Sequence, residues 1–292
     1  MRPTDELDKY KNGITYVIVK DSTSAAEKPY LEVFRKYWTF TKIKFCTREF
    51  AKSNRQSPNT FLAINKETYP TDLVDMLYYY LYLDFWAFKD GGGLMKFARI
   101  DLFTEIVLST DSLEYANQYN YDDGSRIFNW GPGLLKNYLQ LMQLYLTGKI
   151  EKKSDCNAYD HGNFDGMSAK EVKRMDTNYS IQISRMKNDT LYVPDYVLLK
   201  FTRHGFTKVS GSGVMDNYKY KYKFVSSDIL NKMILDDSKD FCYLVYVKNS
   251  FNRYISVVNS KTGKLLYSSP QGASDNIKDS DIKDLNMAID GH

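Results

Sequence analysis

The chain repeats part of itself, and that repetition constrains its fold more than any other property. Lys11, Asn12, Tyr16 and Val17 return as Lys187, Asn188, Tyr192 and Val193, an offset of 176 (187 − 11). Lys42-Ile43-Lys44-Phe45-Cys46-Thr47 is answered by Lys221-Tyr222-Lys223-Phe224-Val225-Ser226 at an offset of 179 (221 − 42). Phe61-Leu62-Ala63-Ile64-Asn65-Lys66 is answered by Tyr243-Leu244-Val245-Tyr246-Val247-Lys248 at 182 (243 − 61). Segments recurring in one order at slowly drifting offsets describe a duplicated unit of small-domain size, longer than the roughly 20–50-residue period of solenoid repeats. With 292 residues, 43% of them apolar, the chain can bury two such cores.

Within the first unit, the β-branched and aromatic run Ile14 to Val19 predicts a strand covered on both faces. Ser24 to Glu27 has capping-box spacing and Leu31, Phe34 and Trp38 share a face, which predicts a helix whose start is blurred by Pro29. Lys42 to Cys46 and Thr60 to Asn65 read as further strands, with Thr47 placed to cap a short helix between them. The second unit repeats the order with strands at Thr190 to Val193, Lys219 to Val225 and Phe241 to Lys248. Ser226 holds the capping position of Thr47, and a first helix is expected to end near His204.

Each unit then adds a hairpin: Tyr79 to Phe88 with Leu94 to Phe103 around Gly91-Gly92-Gly93, and Tyr254 to Val258 with Lys264 to Tyr267 around Asn259 to Gly263. A helix closes each: Leu134 to Leu146, with Pro132 near its start and Gly148 past its end, and Asp281 to Ile289 with Ile282, Leu285 and Ile289 inward. The expected class is therefore α/β, two β-α-β-α-β-β-α subdomains with mixed sheets. The units are expected at 1–149, with an insertion at about 104–130, and at 181–292, joined by a polar linker at 150–180. This order resembles that of thioredoxin-like domains, although the chain has no Cys-x-x-Cys and hence lacks the redox motif. A Rossmann-like doubly wound sheet with an antiparallel edge fits as well.

Function is less legible. The net charge of +4 is too small to point to nucleic acid or an acidic membrane as partner. No apolar run is long enough to span a bilayer and the N-terminus has no secretory signature, so a soluble protein is expected. Three cysteines tilt the compartment toward the cytoplasm, with export after signal removal left open.

The strongest local candidate is Phe128-Asn129-Trp130-Gly131-Pro132-Gly133, where free amides at a helix start attract anions and glycines allow close approach. Trp130, Gly131 and Gly133 would line one wall of a cleft between the subdomains, flanked by Arg126 and Lys136; the alternative is an aromatic plug that seats the helix entry. Gly91-Gly92-Gly93, Thr262-Gly263-Lys264 and Gly211-Ser212-Gly213 read as turns or loops, because no helix-opening Gly-Lys-Ser/Thr follows. The alternation Tyr218 to Phe224 puts aromatics on one face and lysines on the other, as at a guarded sheet edge. Asp155, Cys156, Asp160, His161 and Asp165 match no metal spacing, and neither His161 nor His204 has a nucleophile-elbow partner. No cofactor, metal or catalytic residue is expected. The reading is a non-catalytic binding or interaction protein, its partner a protein or small molecule; the alternative is a small-molecule binder or enzyme using the cleft between the subdomains.

Overall fold

The computed structural model describes residues 3–55, 58–70, 77–88, 93–103, 127–151, 183–202, 205–208, 213–249, 252–271 and 276–291. It contains two five-stranded mixed sheets with the same strand order. The first is built from β1 (Ile14–Ile18), β2 (Lys42–Cys46), β3 (Thr60–Pro70), β4 (Leu77–Phe88) and β5 (Leu94–Leu102), ordered β2-β1-β3-β4-β5. The second uses β6 (Leu191–Pro194), β9 (Tyr222–Val225), β10 (Cys242–Asn249), β11 (Asn252–Asn259) and β12 (Leu265–Gln271), ordered β9-β6-β10-β11-β12. A separate hairpin is formed by β7 (Leu199–Thr202) and β8 (Gly205–Lys208).

The three offsets read from the sequence reproduce the pairing register. Tyr16 lies opposite Lys44 and Phe61, and Tyr192 lies opposite Lys223 and Tyr243. The first three strands of each sheet are parallel and the last two antiparallel. Both hydroxyl caps also hold. Thr47 Oγ1 accepts from the Phe50 amide at 3.3 Å to open α3 (Arg48–Ser53), and Ser226 Oγ accepts from the Ile229 amide at 3.3 Å to open α5 (Ser227–Leu235).

Four local expectations are corrected. An unforeseen α1 (Pro3–Lys11) precedes β1, anchored by the fully buried pair Leu7 and Tyr10. The next helix, α2 (Lys28–Tyr37), begins beyond Ser24 because proline is accepted only in the first helical turn, where Pro29 sits. The closing helix α4 (Pro132–Glu151) runs through Gly148 rather than stopping before it. Among the described residues of the second unit no α-helix joins the first two strands: a 3₁₀ turn at Asp195–Leu198 and the β7–β8 hairpin stand in its place, and His204 lies outside the described residues. Leu199-Lys200-Phe201-Thr202 and Gly205-Phe206-Thr207-Lys208 alternate in the period of a strand, which explains the substitution.

Helix α4 is buried continuously from Gly133 to Leu139, so every side of that stretch meets protein, and it is sandwiched. One side packs with α1 and α2 on the first sheet, and the other packs on α5 and on the second sheet. Lys136, with 1% of its side chain exposed, donates to the Ile234 carbonyl at 2.7 Å and to Asp237 Oδ1 at 2.8 Å. Asn137 donates to the Ser260 carbonyl at 2.9 Å and accepts from the Tyr243 hydroxyl at 2.9 Å. One hydrophobic core therefore runs through both halves. The outer face of the second sheet is closed by α6 (Asp279–Asp290), held through the buried two-point ion pair of Arg253 with Asp281 at 2.8 and 3.1 Å. No helix among the described residues is long and apolar enough to cross a membrane.

Candidate functional site

In the first sheet α2 and α3 pack on opposite faces: Val33 and Phe34 of α2 join the main core, whereas Ala51 of α3 packs with Phe61, Ala63 and Trp86 behind the sheet. The chain leaves β1 toward β2 on one side and returns to β3 on the other. Such a reversal opens a crevice at the carboxyl ends of the strands, where open α/β sheets bind ligands. Pairing of β1 with β3 ends at Val17 opposite Leu62, and beyond it lies a cavity of about 60 Å³. Val17, Val19, Leu62, Ile64 and Leu83 form its apolar floor, and Glu27, Tyr30 and Phe34 of the α2 entry form one wall. Trp130 continues that wall, its indole stacked on Tyr30 at 5.8 Å between centroids and 10° between planes. Arg48 reaches this strand edge from behind, donating to the Ile64 carbonyl at 2.7 Å and to Asn65 Oδ1 at 3.3 Å.

The corresponding position in the second sheet is closed. Three residues beyond the paired Tyr243, Tyr246 stands where Ile64 stands in the first sheet (246 − 182). The hydroxyl of Tyr196, on the turn that follows β6, donates to the Tyr246 carbonyl and accepts from its amide, both at 3.1 Å. Phe103 and Phe128 pack their rings on Tyr196, and Phe103 also meets Tyr246 edge-on at 5.4 Å. Burial raises the Tyr196 phenol well above its ordinary value, so it stays protonated and keeps both bonds.

Of the described residues that the sequence offered as ligand-binding candidates, Trp130 lines this cavity and Gly131, Gly133 and Lys136 do not. Gly131 and Gly133 are instead points of close approach to α5: a Cβ on Gly131 would run into the Asn231 side chain, and one on Gly133 into the Asn231 backbone. The Leu134 amide at the start of α4 is already taken by Asn231 Oδ1 at 3.0 Å, and Lys136 by Ile234 and Asp237. Arg126 lies outside the described residues, as do the Gly91-Gly92 turn, His161 and the Asp155–Asp165 segment. The Tyr/Lys alternation becomes an edge strand only at β9, with Lys221 and Lys223 exposed. Glu27, Tyr30 and the strand ends were missed as site residues, although the succession β-α-β-α-β carried the signal for a crevice at the strand ends.

Chemically the cavity offers apolar surface, three aromatic side chains (Tyr30, Phe34 and Trp130) and one carboxylate, without a thiol, histidine or aliphatic hydroxyl in its lining. Burial pushes the Cys46 thiol up to about 11 and the Cys242 thiol up to about 12, which suppresses thiolate chemistry near neutral pH. Among the described residues, no group of three or more His, Cys, Asp or Glu side chains is placed to hold a metal. The large exposed apolar side chains, Phe50, Leu94, Leu144, Ile229 and Met287, fall on five different elements. No protein family, curated protein or solved structure matches this chain, and the site is read from its own chemistry.

Proposed function

We propose that this chain is a non-catalytic binding protein for a small, flat, largely apolar molecule, seated at the carboxyl ends of β1 and β3 between Trp130, Tyr30 and the α2 entry. The observation that carries the reading is the asymmetry between two sheets of one design. At the second crevice the chain's own aromatic rings fill the space, with a phenol bonded to the strand edge. At the first, a cavity remains and its mouth is walled by aromatic side chains. An apolar cavity lowers stability through lost contacts unless something fills it, and an aromatic ring is what fills its counterpart.

The chain has three tryptophans, of which Trp38 and Trp86 are buried and Trp130 is half-buried at the cavity, so the part of the emission that Trp130→Ala removes reports on this site. Titration with a panel of small one-ring aromatic compounds is expected to give saturable quenching and a raised melting temperature for at least one of them. A ligand at a hundredfold its Kd adds about 2.7 kcal/mol. Trp130→Ala, folded by circular dichroism, is expected to lose the shift. A panel with no saturable response, or one whose shift survives Trp130→Ala, removes the reading.

A further inference from the structure

We infer that the seam between the two sheets holds a second site, independent of the crevice, for a short unbranched aliphatic chain. A cavity of about 60 Å³ lies where β5 and α4 meet the inner face of the second sheet. Its walls come from both halves: Ile100 and Leu141 from the first, and Val245, Val247, Val258 and Leu265 from the second. Asp101, Asn129, Asn137, Tyr138, Tyr254 and Ser256 also border it, and four of these polar side chains make hydrogen bonds to other groups of the protein. Asn129 accepts from the Phe103 amide at 2.6 Å and donates to the Asp101 carbonyl at 3.3 Å. Asn137 bonds Ser260 and Tyr243, the Tyr138 hydroxyl donates to the Asn129 carbonyl at 2.7 Å, and Ser256 pairs with Ser268 at 3.0 Å. The aliphatic side chains of both halves make the space predominantly apolar. A water needs two to four polar partners to settle in a cavity, whereas apolar space of this kind takes up apolar guests.

The turn between β11 and β12 bounds the cavity through Gly263, whose φ of 68° is open to glycine at little cost. A Cβ at this position would lie 2.7 Å from the Asn137 carbonyl oxygen and 2.9 Å from Gln140 Cβ, so the turn sits directly on α4. Six branched aliphatic side chains drawn from both halves line the cavity, which suits a run of methylenes. A chain threaded there touches both sheets at once, and its binding holds the halves together.

The test is methyl NMR of the full chain, labelled at Ile, Leu and Val, titrated with 1-butanol and separately pressurised with xenon. Saturable shifts are expected at Ile100, Leu141, Val245, Val247, Val258 and Leu265, while Val17, Val19 and Leu62, which report on the crevice, stay still. Filling the space with Leu141→Phe, or more gently with Val258→Ile, is expected to abolish those shifts in a protein whose remaining spectrum is unchanged. Shifts that are absent, that rise linearly without saturating, or that spread equally over both sets of methyls would overturn the assignment.

Discussion

Replacing Gly133 with alanine sets two physical effects against each other with opposite signs. Gly133 is the second residue of α4 and its φ lies outside the left-handed region, so helix propensity alone favours alanine by up to about 1 kcal/mol. Packing opposes it: the new Cβ would lie 2.8 Å from Asn231 Cα and 2.9 Å from its carbonyl carbon, both backbone atoms of α5. Carbon atoms are comfortable at about 3.5–4.0 Å, so α4 and α5 must part by roughly 1 Å. Overpacking costs about 1–3 kcal/mol, and the upper half applies where the obstacle is backbone that cannot rotate away. The net expectation is a loss of about 2 kcal/mol. At roughly 2–4 °C per kcal/mol for chains of comparable size, that is a fall of about 4–8 °C, readable by calorimetry or by urea unfolding followed at 222 nm. Two controls sharpen it. Gly213→Ala, whose Cβ meets nothing within 4 Å, should be neutral or slightly stabilising. Asn231→Ala should not rescue Gly133→Ala, because the atoms in the way are backbone. A Gly133→Ala protein as stable as wild type would refute the close approach of α4 to α5, and with it the account of how the two halves are joined.

Thr47→Ala and Ser226→Ala each remove one helix cap at equivalent places and should each cost about 1 kcal/mol by urea unfolding; a large effect at one and none at the other would break the equivalence of the two junctions. Hydrogen bonds from Lys136 and then Lys36 hold the Asp237 carboxyl far below the ordinary carboxylate range. A depressed folded value contributes stability above the unfolded value of about 4 and loses it as pH falls further. The stability gap between wild type and Asp237→Asn should therefore be full at pH 6 and shrink from about pH 4 downward, as measured by thermal melts across that range; a gap independent of pH would show that the network contributes nothing through charge.

How much of this was legible in the sequence depends on which distances matter. The duplicated frame was legible because strand identity and capping are local: Lys42 to Cys46 announces a strand, and a hydroxyl directly after it announces a helix start. Even the register followed, since a drift from 176 to 179 to 182 fixes which residue of one unit answers which of the other. What failed was the segment after β6. There the chain departs from its first copy, and an expectation carried over by analogy put a helix where Leu199 to Lys208 alternates as a hairpin. That departure matters for the second crevice, because the turn replacing the helix is what delivers Tyr196 into it. The glycine-flanked entry Trp130 to Gly133 was found for a partly different reason from the one that makes it important. Its glycines serve contact with α5 and its amide is capped by Asn231, while the neighbouring indole, turned toward Tyr30, walls the cavity. The cavity floor could not be picked out, since Val17, Leu62 and Ile64 look like any strand residues until β3 is known to lie beside β1. A site made of strand ends is written in topology, and here the same topology occurs twice with different filling; the comparison of the two copies, more than any motif, directs attention to the open one.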